Sequence, residues 1–330
     1  MRLRRLGVAA TLACVLATAA SANDTSAALG AGGLQFVQND DVEMRSEDLF
    51  VSAAEIRVRY VFHNRSARDV TTIVAFPMPE IPYSESASLS IPDPAAENFL
   101  DFRTVVDGRP VEAAVERRVI SLGLDRTGLL EGLGVPLMPY SEKTRDALDA
   151  LPADKAAELI RVGLARAEEY DLGKGMKQHL SPFNWTLRTT YYWTQTFPAG
   201  KDMVIEHRYR PSVGSSVGTR LGEEPRDPPH VAERRRIVET FCLDRAFMTS
   251  VARAKGQFTE ERIRYILRTG SNWAGPIGDF TLTIDKGAAA NLVSFCGTDV
   301  RKIGPTTFQM KAKEFYPAHD LDVLILKPAR

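Results

Sequence analysis

The sequence lacks the short motifs that usually identify an enzyme. None of its five histidines stands at the spacing that places two imidazoles on one face of a helix to bind a metal. The stretch 214–218 resembles a Gly-x-Ser-x-Gly turn but lies in a polar, Gly-, Ser- and Pro-rich segment (211–229) that predicts an exposed loop. No phosphate-binding loop has the required spacing. We therefore predict no catalytic residue, no metal site and no cofactor.

The chain also has no excess of charge of either sign. It carries 42 Lys and Arg residues against 42 Asp and Glu residues. Its densest basic run, Arg234–Arg236, lies between Glu233 and Glu239 and is typical of a solvated surface. A near-neutral chain offers no electrostatic footprint for nucleic acid, so we expect no nucleic-acid partner.

Long apolar runs are equally scarce. The longest runs from Leu6 to Ala20 and is too short to span a bilayer as a stable helix. It follows Arg2, Arg4 and Arg5 and precedes a small-x-small site at Ala20–Ala22, which together predict a cleavable secretory signal over residues 1–22. An uncleaved membrane anchor is the competing interpretation. Cleavage after Ala22 would make Asn23 the mature N-terminus and remove three positive charges (42 − 3 = 39, against 42 acidic residues).

Cysteine is rare, and cleavage would leave only Cys242 and Cys296. In an oxidising compartment such a pair predicts a disulfide. The alternative is two buried thiols, each packing as a small hydrophobic side chain at the end of a strand.

What the chain does contain is alternation of apolar and polar residues. Between Glu55 and His63, Ile56, Val58, Tyr60 and Phe62 alternate with polar side chains, as in a half-buried antiparallel strand. Similar patterns follow over 70–76, 185–197, 203–209 and 263–267 and in four strands near the C-terminus. The sequence therefore predicts a mainly β protein, an antiparallel β-sandwich.

Helical spacing is confined to two places. Between Ser141 and Asp171 the apolar residues predict a two-helix insertion, and Asp244 is a candidate N-cap for one further short helix that ends at Gly256. We divide the chain into the signal (1–22), an N-terminal β-sandwich region (23–135), a helical insertion (136–180) and a C-terminal β-rich region (181–330). The two β-rich regions either share one core or have separate cores.

Two groups of residues are candidates for binding. Alternation along 185–197 places Trp185, Tyr191 and Trp193 on one face and Tyr192 on the other, so Tyr192 is the better candidate for an exposed contact. A loop at 269–278 has three glycines and presents either a binding pair, Asn272 and Trp273, or a Trp that fills one end of the sandwich.

Several phrases resemble a family of secreted bacterial proteins known as domain of unknown function 4424. They are Asn23–Leu34, Val42–Leu49, Phe76–Pro79, Trp193–Pro198 and Asn272–Gly278. The resemblance spans nearly the whole mature chain and implies a periplasmic location, but it implies no activity.

The leading hypothesis is a non-catalytic module of the bacterial envelope that binds an envelope protein or another envelope component. One alternative is an envelope hydrolase or carbohydrate-active protein, which carboxylates or His side chains clustered beside Trp273 would favour. Another is a structural or stress-related envelope factor. We expect no transmembrane segment once the signal is removed.

Overall fold

The structure is a computed structural model. It describes residues 23–30, 33–85, 88–171, 173, 175–219, 221–222, 227–254 and 257–329. The predicted signal over 1–22, including Ala22, lies outside the described residues.

Strands dominate the described chain. They are β1 (Thr25–Gly30), β2 (Gly33–Phe36), β3 (Val42–Val51), β4 (Ile56–Asn64), β5 (Val70–Pro77), β6 (Ile81–Pro82), β7 (Ser88–Ser90), β8 (Arg103–Val106), β9 (Arg109–Val111), β10 (Ala114–Ser121), β11 (Leu124–Asp125), β12 (Ala165–Asp171), β13 (Met176–Pro182), β14 (Thr186–Phe197), β15 (Asp202–Tyr209), β16 (Val213–Ser216), β17 (Phe258–Tyr265), β18 (Ile277–Asp285), β19 (Leu292–Phe295), β20 (Arg301–Lys302), β21 (Thr307–Phe315) and β22 (Leu321–Pro328). The helices are α1 (Thr127–Gly132), α2 (Glu142–Asp149), α3 (Ala153–Arg161), α4 (Pro228–Thr240) and α5 (Arg245–Arg253), with a 3-10 turn at Arg268–Asn272.

Two large sheets form the predicted sandwich. The first has the order β11-β10-β14-β5-β1-β2, with β6 also paired to β14, and the second has the order β20-β21-β18-β3-β4-β15-β8-β9. Rings from the two sheets meet between them: Phe197 contacts Phe62, and Trp193 contacts His207. The mainly β, antiparallel sandwich is thus confirmed, with one parallel pair, β3 and β18.

The alternation that predicted β4 decides its orientation in the second sheet. Ile56, Val58, Tyr60 and Phe62 are all buried in the core between the sheets, whereas Arg57 and Arg59 are exposed on the outer face. Side chains on a strand point alternately to opposite faces, so a slip of one residue would bury both arginines.

Strands from both β-rich regions interleave in both large sheets. In the second sheet β4 pairs with β15, and β3 pairs with β18. One hydrophobic core therefore contains residues from 42 to 325. The boundaries that we placed at 135/136 and 180/181 stay a prediction.

A third sheet, in the order β19-β22-β17-β16-β7, lies against one end of the sandwich. Its strand β22 is apolar on both faces: Val323 and Ile325 belong to the main core, and Leu324 and Leu326 belong to a second cluster. That second cluster contains side chains from α5 and from the end of α4. A layer of helix therefore covers the outer face of this sheet.

The helical predictions are partly right. Helices α2 and α3 lie in the predicted insertion, and Asp244 caps α5 by accepting a hydrogen bond from the Phe247 amide at 2.6 Å. Helix α5 ends at Arg253, before the predicted end at Gly256, which lies outside the described residues. The insertion is not helical to Asp171, because α3 ends before Gly163, whose φ of +72° suits glycine, and residues 165–171 form β12.

Two further helices, α1 and α4, were not predicted, and the predicted loop over 211–229 contains β16 and the start of α4. Helix α4 has no completely buried residue, so its sequence lacks the apolar stripe that predicts a helix. The basic run Arg234–Arg236 lies on this helix. Its one recognisable signal is Pro228–Pro229, since proline suits the first turn of a helix.

The predicted disulfide is confirmed. Cys242 and Cys296 are bonded, with their Cα atoms 5.0 Å apart. Cys242 follows α4 and Cys296 follows β19, so the bond fastens the helical layer to the edge of the third sheet.

Candidate functional site

Trp273 lies inside the protein. Its side chain is 1% exposed and packs against Phe62 and Phe197, at ring centroid distances of 4.8 and 5.8 Å. Its indole N–H donates to the backbone carbonyl of Asp24 at 2.6 Å. This placement fits the alternative in which the tryptophan fills an end of the sandwich.

Asn272 and Tyr192 are only partly buried and lie on different elements. The Asn272 side-chain amide, in the 3-10 turn, donates to Thr25 Oγ1 at 2.8 Å. Tyr192 stands in the middle of β14, opposite Ala75 and Ala114, while its neighbours Tyr191 and Trp193 are buried, as the alternation predicted. The binding roles of Asn272, Trp273 and Tyr192 stay a prediction.

A cluster of polar side chains surrounds the backbone that Trp273 contacts. His207 lies with Nε2 3.0 Å from Asp24 Oδ1 and with Nδ1 3.1 Å from Thr104 Oγ1. A hydroxyl, an imidazole and a carboxylate in that order resemble the groups of a nucleophilic hydrolase. We expected such a cluster beside Trp273 to favour the hydrolase alternative.

Burial argues against that use. Asp24 is 0% exposed, and Thr104 and His207 are each 2% exposed. The ring of Phe102 stacks on the imidazole at 5.0 Å, and the ring of Phe76 meets it edge-on at 4.9 Å. A substrate must come within hydrogen-bond reach of its nucleophile and base. In this structure the three groups contact one another and the core, so their evident role is to pair buried polar atoms.

The same cluster continues to a second carboxyl group. Glu47 is 1% exposed and accepts a hydrogen bond from the side-chain amide of Asn23 at 3.0 Å. The hydroxyl of Tyr60 donates to Asn23 Oδ1 and lies 2.9 Å from that of Tyr265. Burial raises the pKa of Glu47 to about 8, against the hydrogen bond from Asn23, and the charge of Asp24 raises it further. Burial also raises the pKa of Asp24, while His207 lowers it.

The accessible candidate site is a cleft of about 910 Å³ where the sandwich, the third sheet and α4 meet. We call it the α4 cleft. Its apolar lining includes Leu89 on β7 and Ile263 on β17, together with Phe99 and Leu100, which lie outside the strands. Hydroxyl and guanidinium groups stand among these side chains, and they belong to Ser88, Tyr140, Tyr209, Ser212, Ser215, Ser216, Arg236, Arg262 and Arg264.

Backbone pairing explains why one wall of the α4 cleft is open. In the third sheet Gly214 lies directly between Leu89 and Arg262, and both of those side chains line the cleft. Directly paired residues share a face of a sheet, so a side chain at 214 would project into the same space. A Cβ atom there would meet only Arg262, at an ordinary 3.7 Å. Glycine thus leaves room that a larger residue would fill.

The charges at the α4 cleft are mostly paired. Arg264 bonds Asp322 at 2.8 Å, Arg262 bonds the buried Glu260, and Glu80 bonds Arg188. Among the described residues Arg236 has no ion pair. A cleft with balanced charge and a mixed lining suits a ligand that has both apolar and hydrogen-bonding parts.

Tyr209 is the unusual member of this lining. It is 2% exposed, and its hydroxyl has no hydrogen-bond partner in the described part of the chain. An unpaired buried hydroxyl costs about 1–3 kcal/mol. The hydroxyl is closed off from solvent, so in this structure a bound group could contact the residue but not its hydroxyl.

Sequence reasoning did not find this cleft. Its residues come from segments between 78 and 322, and only folding brings them together. The one available signal, the run of Gly and Ser after Pro211, predicted a loop.

Two other types of site are absent from the described residues. No helix among them is both long and apolar enough to cross a membrane. No three or more His, Cys, Asp or Glu side chains in the described ranges are grouped so as to hold a metal ion.

The fold and the cleft together define a β-sandwich protein with one internal disulfide and a cleft that is lined on one side by helix α4. The family model "Domain of unknown function (DUF4424)" matches residues 22–324, and the chain belongs to this family. The family resemblance read from the sequence is thus confirmed. No curated protein matches the chain.

Among solved structures, the chain is similar to the crystal structure of a "putative nutrient binding protein" from Legionella pneumophila. The two are 14% identical, the TM-score is 0.44, and the match covers 92% of this chain and 70% of the other.

Proposed function

We propose that the protein is a non-catalytic binding module of the bacterial envelope and that the α4 cleft holds its ligand. The observation that supports this most is the cleft itself, with its mixed lining of apolar side chains, hydroxyls and guanidinium groups. Small-molecule sites in proteins are concave, of about 300–1,000 Å³, and largely apolar with a few polar groups that fix orientation. The α4 cleft has that size, and its lining combines apolar side chains with a larger share of polar groups.

The ligand that fits is a small amphipathic envelope component. Leu89, Phe99 and Ile263 would cover its apolar part. The serine hydroxyls of β16 and the guanidinium of Arg236 would bond its polar part. Because the charges of the lining are nearly balanced, hydrogen bonding rather than net charge would select this ligand.

Location in the periplasm is part of the proposal. It is supported by the basic, apolar and small-residue segments that precede Asn23 in the sequence and by the Cys242–Cys296 disulfide, a bond typical of oxidising compartments.

The test is to fill the cleft without disturbing the fold. Gly214→Phe places a ring between Leu89 and Arg262, and Gly132→Phe makes the same change at the exposed end of α1, where a Cβ atom meets nothing within 4 Å. Both variants and the parent would be purified from the native periplasm and analysed by native mass spectrometry and lipid and metabolite extraction. We expect a co-purifying compound with the parent and with Gly132→Phe but not with Gly214→Phe.

Tyr209→Phe is a control at the inner wall of the cleft. It deletes a hydroxyl that has no partner in the described chain, so the free protein should be as stable as the parent or slightly more stable. Binding should be unchanged, because that hydroxyl is closed off from the cleft. A compound retained equally by all variants, or by none including the parent, would contradict the proposed function.

A further inference from the structure

Asn23, the first described residue, is fully enclosed. Its backbone nitrogen donates to Thr269 Oγ1, and the same hydroxyl donates to the Asn23 carbonyl at 2.6 Å. Its side-chain amide donates to Glu47 and to the carbonyl of Leu267 at 3.3 Å. Its Oδ1 accepts from Tyr60. Every polar atom of the residue therefore has a partner inside the protein.

The wall around Asn23 leaves no spare room. A Cβ atom on Gly270 would lie 2.6 Å from Asn23 Nδ2, closer than real Cβ contacts. Glycine at 270 is therefore what allows the Asn23 side chain to reach Glu47.

The charges in this enclosure do not balance. Asp24 has a basic side chain beside it, the imidazole of His207, whose Nε2 lies 3.0 Å from Asp24 Oδ1. Glu47 faces Asn23, Asp24, Tyr60 and Tyr265, and none of these is a cation. Its Oε1 atom has no hydrogen-bond partner in the described residues. A buried carboxylate without a cation is costly, so Glu47 either keeps its proton, as its raised pKa of about 8 allows, or is ionised only when a positive charge lies beside it.

We propose that the processed N-terminus supplies this charge: hydrolysis of the Ala22–Asn23 bond gives Asn23 an α-ammonium group that forms a buried ion pair with Glu47. In the reaction the C–N bond breaks and water supplies the new oxygen, leaving a carboxylate on Ala22 and an ammonium on Asn23. The cut is the predicted export cleavage. Its product would be a structural part of the fold rather than a loose end.

The new charge would lie in the enclosure that contains Glu47, because the ammonium nitrogen belongs to the residue whose side-chain amide contacts Glu47 at 3.0 Å. An ammonium has three hydrogens where the amide has one, so it can keep Thr269 as an acceptor and still donate to the carboxylate. One additional residue at the N-terminus would restore the amide and move the charge away from Glu47.

The pair would join elements that are distant in sequence. Asn23 precedes β1, Glu47 lies on β3, and Thr269 lies in the 3-10 turn that follows β17. The last step of folding would therefore wait for processing, and the chain would be most stable only after export.

The experiment compares two forms of the disulfide-bonded protein, one beginning at Asn23 and one beginning at Ala22. Each is also made with Glu47→Gln. We expect the Asn23 form to melt several degrees above the Ala22 form at pH 7, and we expect the difference to vanish in the Glu47→Gln pair. Equal melting of the two parent forms, or a difference that persists without the carboxylate, would overturn the proposal.

A labelling measurement keeps the proposal testable if Glu47→Gln fails to fold. Protein exported by its own signal would be treated with an amine-reactive reagent at neutral pH and digested for mass spectrometry. We expect an α-amine on Asn23 that reacts only after unfolding in urea, while exposed lysines react at once. An N-terminus at another residue, or a rapidly labelled Asn23, would refute the buried ion pair.

Discussion

Replacing Trp273 distinguishes a core tryptophan from a ligand-binding one. Trp273→Ala removes a buried ring that contacts Phe62 and Phe197 and removes the donor to the Asp24 carbonyl. Truncation of a buried Trp or Phe to Ala costs about 3–5 kcal/mol. Leaving a buried polar atom without a partner costs about 1–3 kcal/mol, although part of this is already included in measured truncation values. We therefore expect a loss of about 3–5 kcal/mol.

The assay is urea unfolding followed by circular dichroism, with Trp273→Phe as the intermediate case. Phenylalanine keeps most of the ring contacts but cannot donate to Asp24, so its loss should be about 1–3 kcal/mol. A loss below about 1 kcal/mol for Trp273→Ala would refute the packing argument. It would mean that the loop presents the ring to a ligand instead.

Three further predictions concern the disulfide and the polar cluster. Reducing and non-reducing gels of exported protein should differ in mobility, and labelling of both Cys242 and Cys296 as free thiols in the native protein would contradict the bond. Gly270→Ala should lower the melting temperature, because the new Cβ would collide with the Asn23 side chain. Gly132→Ala is the control and should not lower it, because a Cβ there meets nothing within 4 Å. Equal melting temperatures would show that the Asn23 side chain does not lie against Gly270. In a form extended beyond Asn23, the pKa of Glu47 is raised from an ordinary 4.5 to about 8. Between those two pH values the folded state holds a proton that the unfolded state has released. The free energy of unfolding should therefore fall as the pH rises from 4.5 to about 8. The slope approaches about 1.4 kcal/mol per pH unit from this group, and Glu47→Gln should remove it; an unchanged slope would contradict the assignment.

Local pattern was enough to predict the strands and the class of fold. The alternation of Ile56, Val58, Tyr60 and Phe62 reports a strand with one buried face whatever its partners are. Helix α4 was not predicted because it buries few side chains. Its position is determined by its packing on the third sheet and by the disulfide that follows it.

The sites depend on contacts that no local pattern encodes. The sequence around Trp273 does not indicate whether its ring faces solvent or packs against Phe62. Likewise, nothing in the sequence places Asn23 beside Glu47 and Thr269, which are separated from it by 24 and 246 positions. Such contacts follow from the order of the strands in the sheets, and that order could not be predicted.

Site-specific photocrosslinking in native cells tests the central claim, that the α4 cleft is the binding site, most directly. A photoreactive phenylalanine would replace Leu89, which lines the cleft, or Tyr316, which is 64% exposed and does not line it. We expect a single adduct of defined mass from position 89, lost when Gly214→Phe is added, and no adduct from position 316. Equal labelling from both positions, or none from position 89, would contradict a ligand in the cleft.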